Sequence, residues 1–185
     1  MSDSRKKNLI GFPPGLLGDA PLRMSIVGET DAWIAVEKPA GVAVRAYPWD
    51  AGVPDMDAAL NKQLQAGKPE LVKLGASLFG SAYYLDPAVS GVALFAKSRD
   101  SLAELRNCVG SAELRYRFWF VAKAGAAGGA REVVADAPLL AHNTKPKMIP
   151  STAKGKKAKT EFKLLSESGL GWALWEATTS FLRPH

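Results

Sequence analysis

The chain has 185 residues, 47% of them hydrophobic and 9% aromatic, enough to fill one sizeable core and not two. A charged fraction of 23% is ordinary for a folded domain, and the single cysteine, Cys108, excludes an internal disulfide and a multi-cysteine zinc cluster. The opening segment, "MSDSRKKNLIGFPPGLLG", has no continuous apolar stretch of the secretory kind, and no run reaches the ~18 apolar residues of a membrane span. A cytoplasmic protein with no membrane partner is the expectation.

Residues 1–23 read as an irregular lead-in, broken by Pro13-Pro14, Gly11, Gly15 and Gly18. Residues 24–185 read as a single domain. "MSIVGETDAWIAVEKPAG" predicts two strands about a Glu-Thr-Asp turn, closed by Lys38-Pro39 and Gly41. Met56, Ala59, Leu60 and Leu64 recur at helical spacing and stop at Gly67, which predicts a helix over 55–66. Strands over 82–85 and 92–96 flank Asp86-Pro87. A second helix over 98–109 places Leu102, Leu105 and Cys108 on one side, with Cys108 read as core. In "ELRYRFWFVAK" the residues alternate: Leu114, Tyr116, Phe118 and Phe120 share one face, and Arg115, Arg117, Trp119, Val121 and Lys123 the other. "REVVADAP" follows a glycine-rich loop, and "TEFKLLSE" with "GWALWEAT" predicts an antiparallel pair about Ser168-Gly169. Trp33, Trp172 and Trp175 are read as core. The order of elements predicts an α+β fold, a mixed and largely antiparallel sheet with a few flanking helices.

Two features carry chemistry. Between His142 and Lys163 stand seven lysines (Lys145, Lys147, Lys154, Lys156, Lys157, Lys159 and Lys163) against one acid, Glu161, so this stretch accounts for the whole net charge of +6. As an exposed loop it either attracts a phosphate backbone or simply solvates the surface. Asp86 interrupts two apolar runs. Asp-Pro is a common turn opening, so the carboxylate has a purely structural reading. Beside two adjacent tyrosines, and in a chain with a cationic loop, it also fits a site acting on a nucleotide base. His142 and His185 lack partners at metal-ligand spacing, so no metal site is expected.

The stretch Tyr83-Tyr84-Leu85-Asp86, then three residues, then Ser90-Gly91 and "VALFAK", resembles the signature of RluA-type RNA pseudouridine synthases of the RluA/RsuA superfamily. That family reads His-Arg-Leu-Asp at the same place, so Tyr83-Tyr84 stands for His-Arg. "IVGETDAWIAVEKPAGVAV" is similar to the family's opening strand pair and Lys-Pro-x-Gly turn, here Lys38, Pro39 and Gly41. "ELRYRFWFVAKAG" resembles its base-contacting strand, "KPKMIPSTAKGKKAKTEFKLL" its basic segment, and "SFLRPH" its arginine motif. The resemblance covers roughly residues 24 to 185 and implies the pseudouridine synthase fold, with the C-terminal part of the family's domain missing. It implies an enzyme that isomerises uridine to pseudouridine in structured rRNA or tRNA, through Asp86 acting at ribose C1′ and with no cofactor. It further implies that Tyr116 contacts the base and that Arg183 pairs with the aspartate. Strand alternation sets Tyr84, which departs from the family's arginine, on the face of Asp86, so it is expected to border the site. Lys145, Lys147, Lys154, Lys156, Lys157 and Lys159 would meet RNA. A catalytically inactive RNA-binding relative is the alternative, and protein partners are not indicated.

Overall fold

The computed structural model describes residues 8–47, 50, 52–83, 85–111, 113–145 and 147–181. The chain divides into two compact units, Met1–Asn107 and Cys108–His185, within the stretch read from sequence as one domain. Each unit is built on a sheet of its own.

The first unit holds an antiparallel sheet in the order β1-β2-β3-β5-β4: Leu9–Phe12, Leu22–Glu29, Trp33–Lys38, Gly91–Ala96 and Gly80–Ser81. Strand β1 lies in the segment expected to be irregular; it pairs Leu9 with Ser25 and Phe12 with Leu22, and its Ile10 and Phe12 are buried. The prolines that suggested an irregular lead-in sit in the β1–β2 connection instead. Period-two burial builds the core: Ile34 and Val36 of β3 lie opposite Phe95 and Ala93 of β5, all four fully buried. Lys38 continues that face, so the parity of the strand carries an ammonium into the interior.

Helix α1 spans Met56–Gln65; Asp55 caps it by accepting from the Ala58 N–H at 2.9 Å, and Met56, Ala59, Leu60 and Gln63 face inwards. A short helix α2, Pro69–Val72, follows, and α3 spans Arg99–Cys108. On α3, Leu102, Leu105 and Cys108 share a half-buried side. Cys108 is not core; its Sγ lies 3.3 Å from Glu113 Oε2.

The second unit is a sheet in the order β6-β11-β10-β7: Tyr116–Lys123, Trp172–Thr179, Lys159–Glu167 and Glu132–Asp136. Leu164, Ala173 and Trp175 form its buried cluster, with Ala122, Ala127 and Phe162 against it. Trp172, expected in the core, is half exposed. It stands three residues from Trp175, an odd spacing, so one strand cannot bury both. A hairpin of β8 (Leu139–Ala141) and β9 (Met148–Pro150) completes the unit and lies partly inside the segment expected to be a plain lysine loop. The architecture is α+β. Among the described residues every strand pair is antiparallel, and one isolated parallel bridge joins Ala43 to Asp55. No helix among them is long and apolar enough to cross a membrane.

Candidate active site

Of the predicted strand over 82–85, the described residues Ala82, Tyr83 and Leu85 are not in a strand. Strand β4 ends at Ser81, and the chain then reaches β5 through a side chain: the Tyr83 hydroxyl accepts from the Leu94 N–H at 2.8 Å and lies 3.2 Å from the Val92 carbonyl. Burial pushes this phenol up to about 12, so it remains a neutral donor and acceptor. Leu85, next but one, is also buried. These two anchors deliver Asp86 into a turn in which the Val89 N–H donates to the Asp86 carbonyl at 3.0 Å.

Asp86 Oδ1 accepts the Ala88 N–H at 2.9 Å, the local bond that makes Asp-Pro a turn opening. The side chain is half exposed, and among the described residues Oδ2 accepts no hydrogen bond. One oxygen holds the turn and the other is left without a hydrogen bond among the described residues.

Lys38 underpins this turn. The residue is 1% exposed, and its ammonium donates to the carbonyls of Val42 at 2.7 Å, Pro39 at 2.9 Å and Pro87 at 3.3 Å. The Gly41 N–H donates to the same Pro87 carbonyl at 2.7 Å. Gly41 has φ +87°, a conformation that favours glycine, and it folds the Lys-Pro-x-Gly turn back on the Asp86 turn. Burial lowers Lys38 to about 8, while its attraction to Asp86 works the other way. Sequence reasoning placed Lys38 in a turn and gave it no role beside the carboxylate; the signal available was a lysine at an inward position of β3.

A second pair was not foreseen. Asp57 and Asn61, one turn apart on α1, bond the outer edge of the strand that leads to the site. Asn61 accepts from the Phe79 N–H at 2.9 Å and donates to the Phe79 carbonyl at 2.7 Å, as a neighbouring strand would. Asp57 Oδ1 accepts from the Ser81 N–H at 2.8 Å. Burial raises Asp57 to about 6, with nearby Asp55 adding to the rise and the Ser81 bond, Arg45 and Arg106 opposing it. Between the ordinary 3.8 and 6 the folded state keeps a proton the unfolded chain has lost, so stability falls as pH rises through that window. Asp57→Asn keeps an oxygen for Ser81 and removes the buried charge. Thermal scans are expected to show a melting temperature raised by a few degrees at pH 7 and a flattened slope between pH 4 and 6. A lower melting temperature with the slope unchanged would contradict this account.

The other site residues lie in the second unit or outside the described residues. Tyr116 opens β6 opposite Thr179 and is half buried. Lys145, Lys147, Lys154, Lys156, Lys157 and Lys159 are all exposed. Lys157 Nζ stands 5.5 Å from the centre of the Phe181 ring, and Lys159 pairs with Glu161 at 3.1 Å. Gly155 lets this segment turn tightly, since a Cβ there would collide with the Ser151 carbonyl oxygen. Tyr84 and Arg183 fall outside the described residues. Among the described residues no group of three or more His, Cys, Asp or Glu side chains could hold a metal ion.

No protein-family model matches the sequence, and no curated protein matches it either. Solved structures do. Human RNA pseudouridylate synthase domain containing 4 aligns with a TM-score of 0.63 at 17% identity, over 86% of this chain and 60% of its own. The fold is pseudouridine synthase-like. Human RNA pseudouridylate synthase domain containing 1 aligns with a TM-score of 0.57 at 14% identity, over the same shares of 86% and 60%. The chain thus spans 60% of the length of each of these neighbours. Within this pseudouridine synthase-like fold, the Asp86 turn and the Lys38 turn belong wholly to the first unit.

Proposed function

We propose that the protein isomerises uridine to pseudouridine in RNA, with Asp86 acting at the ribose C1′ of the target nucleotide. The observation that carries this reading is the Asp86 turn: a half-exposed carboxylate with one oxygen not hydrogen-bonded among the described residues, on a backbone fixed by Lys38, Gly41 and Tyr83, in a pseudouridine synthase-like fold. The reaction breaks the N1–C1′ bond and forms a C5–C1′ bond; C5 loses its proton and N1 gains one. No electrons are gained or lost, so a carboxylate and a held base suffice. Tyr116 is assigned to the base, Tyr84 to the border of the site and Arg183 to the carboxylate. Structured rRNA or tRNA in the cytoplasm is the proposed setting.

The chemistry supplies its own assay. RNA carrying tritium at uridine C5 releases it to water when C5 bonds to C1′. Tritium release, with pseudouridine recovered after digestion, supports the reading. RNA binding without release would favour the inactive relative, and absence of both would overturn the assignment.

The lysine segment is assigned to the RNA backbone. Neutralising Lys154, Lys156, Lys157 and Lys159 to alanine is expected to weaken RNA binding and to flatten its dependence on salt. Every phosphate that a lysine no longer neutralises should lower the slope of log affinity against log salt by about 0.7–0.9. Filter binding over a salt series measures it, and an unchanged slope would place these lysines away from RNA.

A further inference from the structure

The sheet of the second unit has two open edges among the described residues, β6 and β7, and they are unlike. A long apolar edge strand is a template for another strand. Strand β6 is eight residues long, with Trp119 69% and Val121 63% exposed between Arg117 and Lys123. Strand β7 is shorter, with Val134 59% exposed between Glu132 and Asp136. The register places these residues on one face, since Trp119 lies opposite Glu176, Glu176 opposite Lys163, and Lys163 opposite Glu132. The other face carries Phe118 and Phe120 on β6, and Val133 and Ala135 on β7.

We propose that β7 of one copy of this chain adds to β6 of a second copy, continuing the sheet from molecule to molecule. Three antiparallel steps separate β6 from β7, so the two run in opposite directions, and a second sheet laid alongside in the same sense meets the first antiparallel. In that pairing Asp136 approaches the Arg117 end and Glu132 the Lys123 end of the second copy. The acids are four residues apart and the bases six, so one ion pair is directly opposite and the other diagonal, both within reach of these side chains. Arg117 has donors to spare: its side chain is 68% exposed and its Nε lies 3.5 Å from Glu176.

Charge also selects against the symmetric alternatives. Two β6 strands paired antiparallel would set Arg117 against Lys123, and two β7 strands would set Glu132 against Asp136. Like charges directly opposite destabilise a sheet. The contact is therefore head-to-tail, which builds a ring or a filament and not a closed two-fold dimer. On the second face, Val133 and Ala135 extend the apolar row of Phe118 and Phe120. The inference does not depend on the RNA reading.

Light scattering and sedimentation velocity over a protein dilution series test it. The wild-type mass is expected to grow with concentration beyond a dimer. The double variants Glu132→Lys/Asp136→Lys and Arg117→Glu/Lys123→Glu should each be monomeric, because each then carries like charges on both edges. Mixed in equal amounts, they should assemble again, since each basic edge meets an acidic one. Circular dichroism checks that both fold. The single substitutions Val134→Lys and Lys123→Glu, at exposed positions, should weaken assembly on their own and keep the test open if a double variant unfolds. A wild type that stays monomeric to its solubility limit would overturn the proposal. So would assembly that survives in the variants alone, or folded double variants that do not assemble on mixing.

Discussion

Asp86→Asn is expected to lower pseudouridine formation by about a thousandfold or more while leaving the fold intact. The substitution keeps Oδ1, so the Ala88 N–H at 2.9 Å retains its acceptor and the turn retains its shape. The oxygen that holds no turn bond becomes an amide nitrogen, which can neither attack C1′ nor stabilise positive charge developing there. Tritium release from C5-labelled RNA reads the chemistry, and circular dichroism with RNA binding reads the rest. Because an asparagine serves a turn as well as an aspartate, a purely structural Asp86 would leave activity near the wild-type level. That result would remove Asp86 from the mechanism.

Lys38→Met should produce the second largest effect. Methionine fills similar space but donates nothing, so the carbonyls of Pro39 and Val42 are left without this donor and Pro87 keeps only the Gly41 N–H. Each buried acceptor left unpaired costs about 1–3 kcal/mol, partly offset by the desolvation of a charge that no longer has to be buried. The melting temperature should therefore fall by only a few degrees. Activity should fall by about a hundredfold, because the turn presenting Asp86 is deprived of its brace and small displacements of a reacting group are costly.

The pH dependence of the wild type carries the same signature. Folded Lys38 releases its proton near pH 8, whereas the unfolded chain holds it to the ordinary 10.5. The unfolded state binds more protons between those values, so stability rises with pH across the window. Activity should fall over the same range as the ammonium gives up its charge. Opposite trends in thermal stability and tritium release would mark Lys38 as the titrating group. Parallel trends, or full activity in Lys38→Met, would sever it from the site.

Much of this was legible because local physics decides it. Alternation in "ELRYRFWFVAK" put Tyr116, Phe118 and Phe120 on one face and Arg117, Trp119, Val121 and Lys123 on the other; in β6 the second set is exposed, and of the first only Phe120 is. The apolar spacing after Asp55 marked α1, whose cap is one side-chain bond to a backbone three residues on. The spaced motifs pointed to the fold shared with the two human structures. Other features required distant segments to meet. The chain after Ser81 meets β5 through the Tyr83 hydroxyl, a bond spanning eleven residues that no local pattern encodes. Strand β1 exists because Leu9–Phe12 finds β2 beyond a proline-rich connection.

Side-chain periodicity, turn chemistry and composition were enough to mark most of the elements, the turn that carries Asp86 and the location of the positive charge. What stands behind the carboxylate was settled only by folding. Lys38 lies 49 residues from Pro87, and Asn61 lies 18 from Phe79, and both reach their partners through packing of the first unit. The open edges of β6 and β7 belong to the same class, since a strand's own residues state which face is apolar but not which neighbour it lacks.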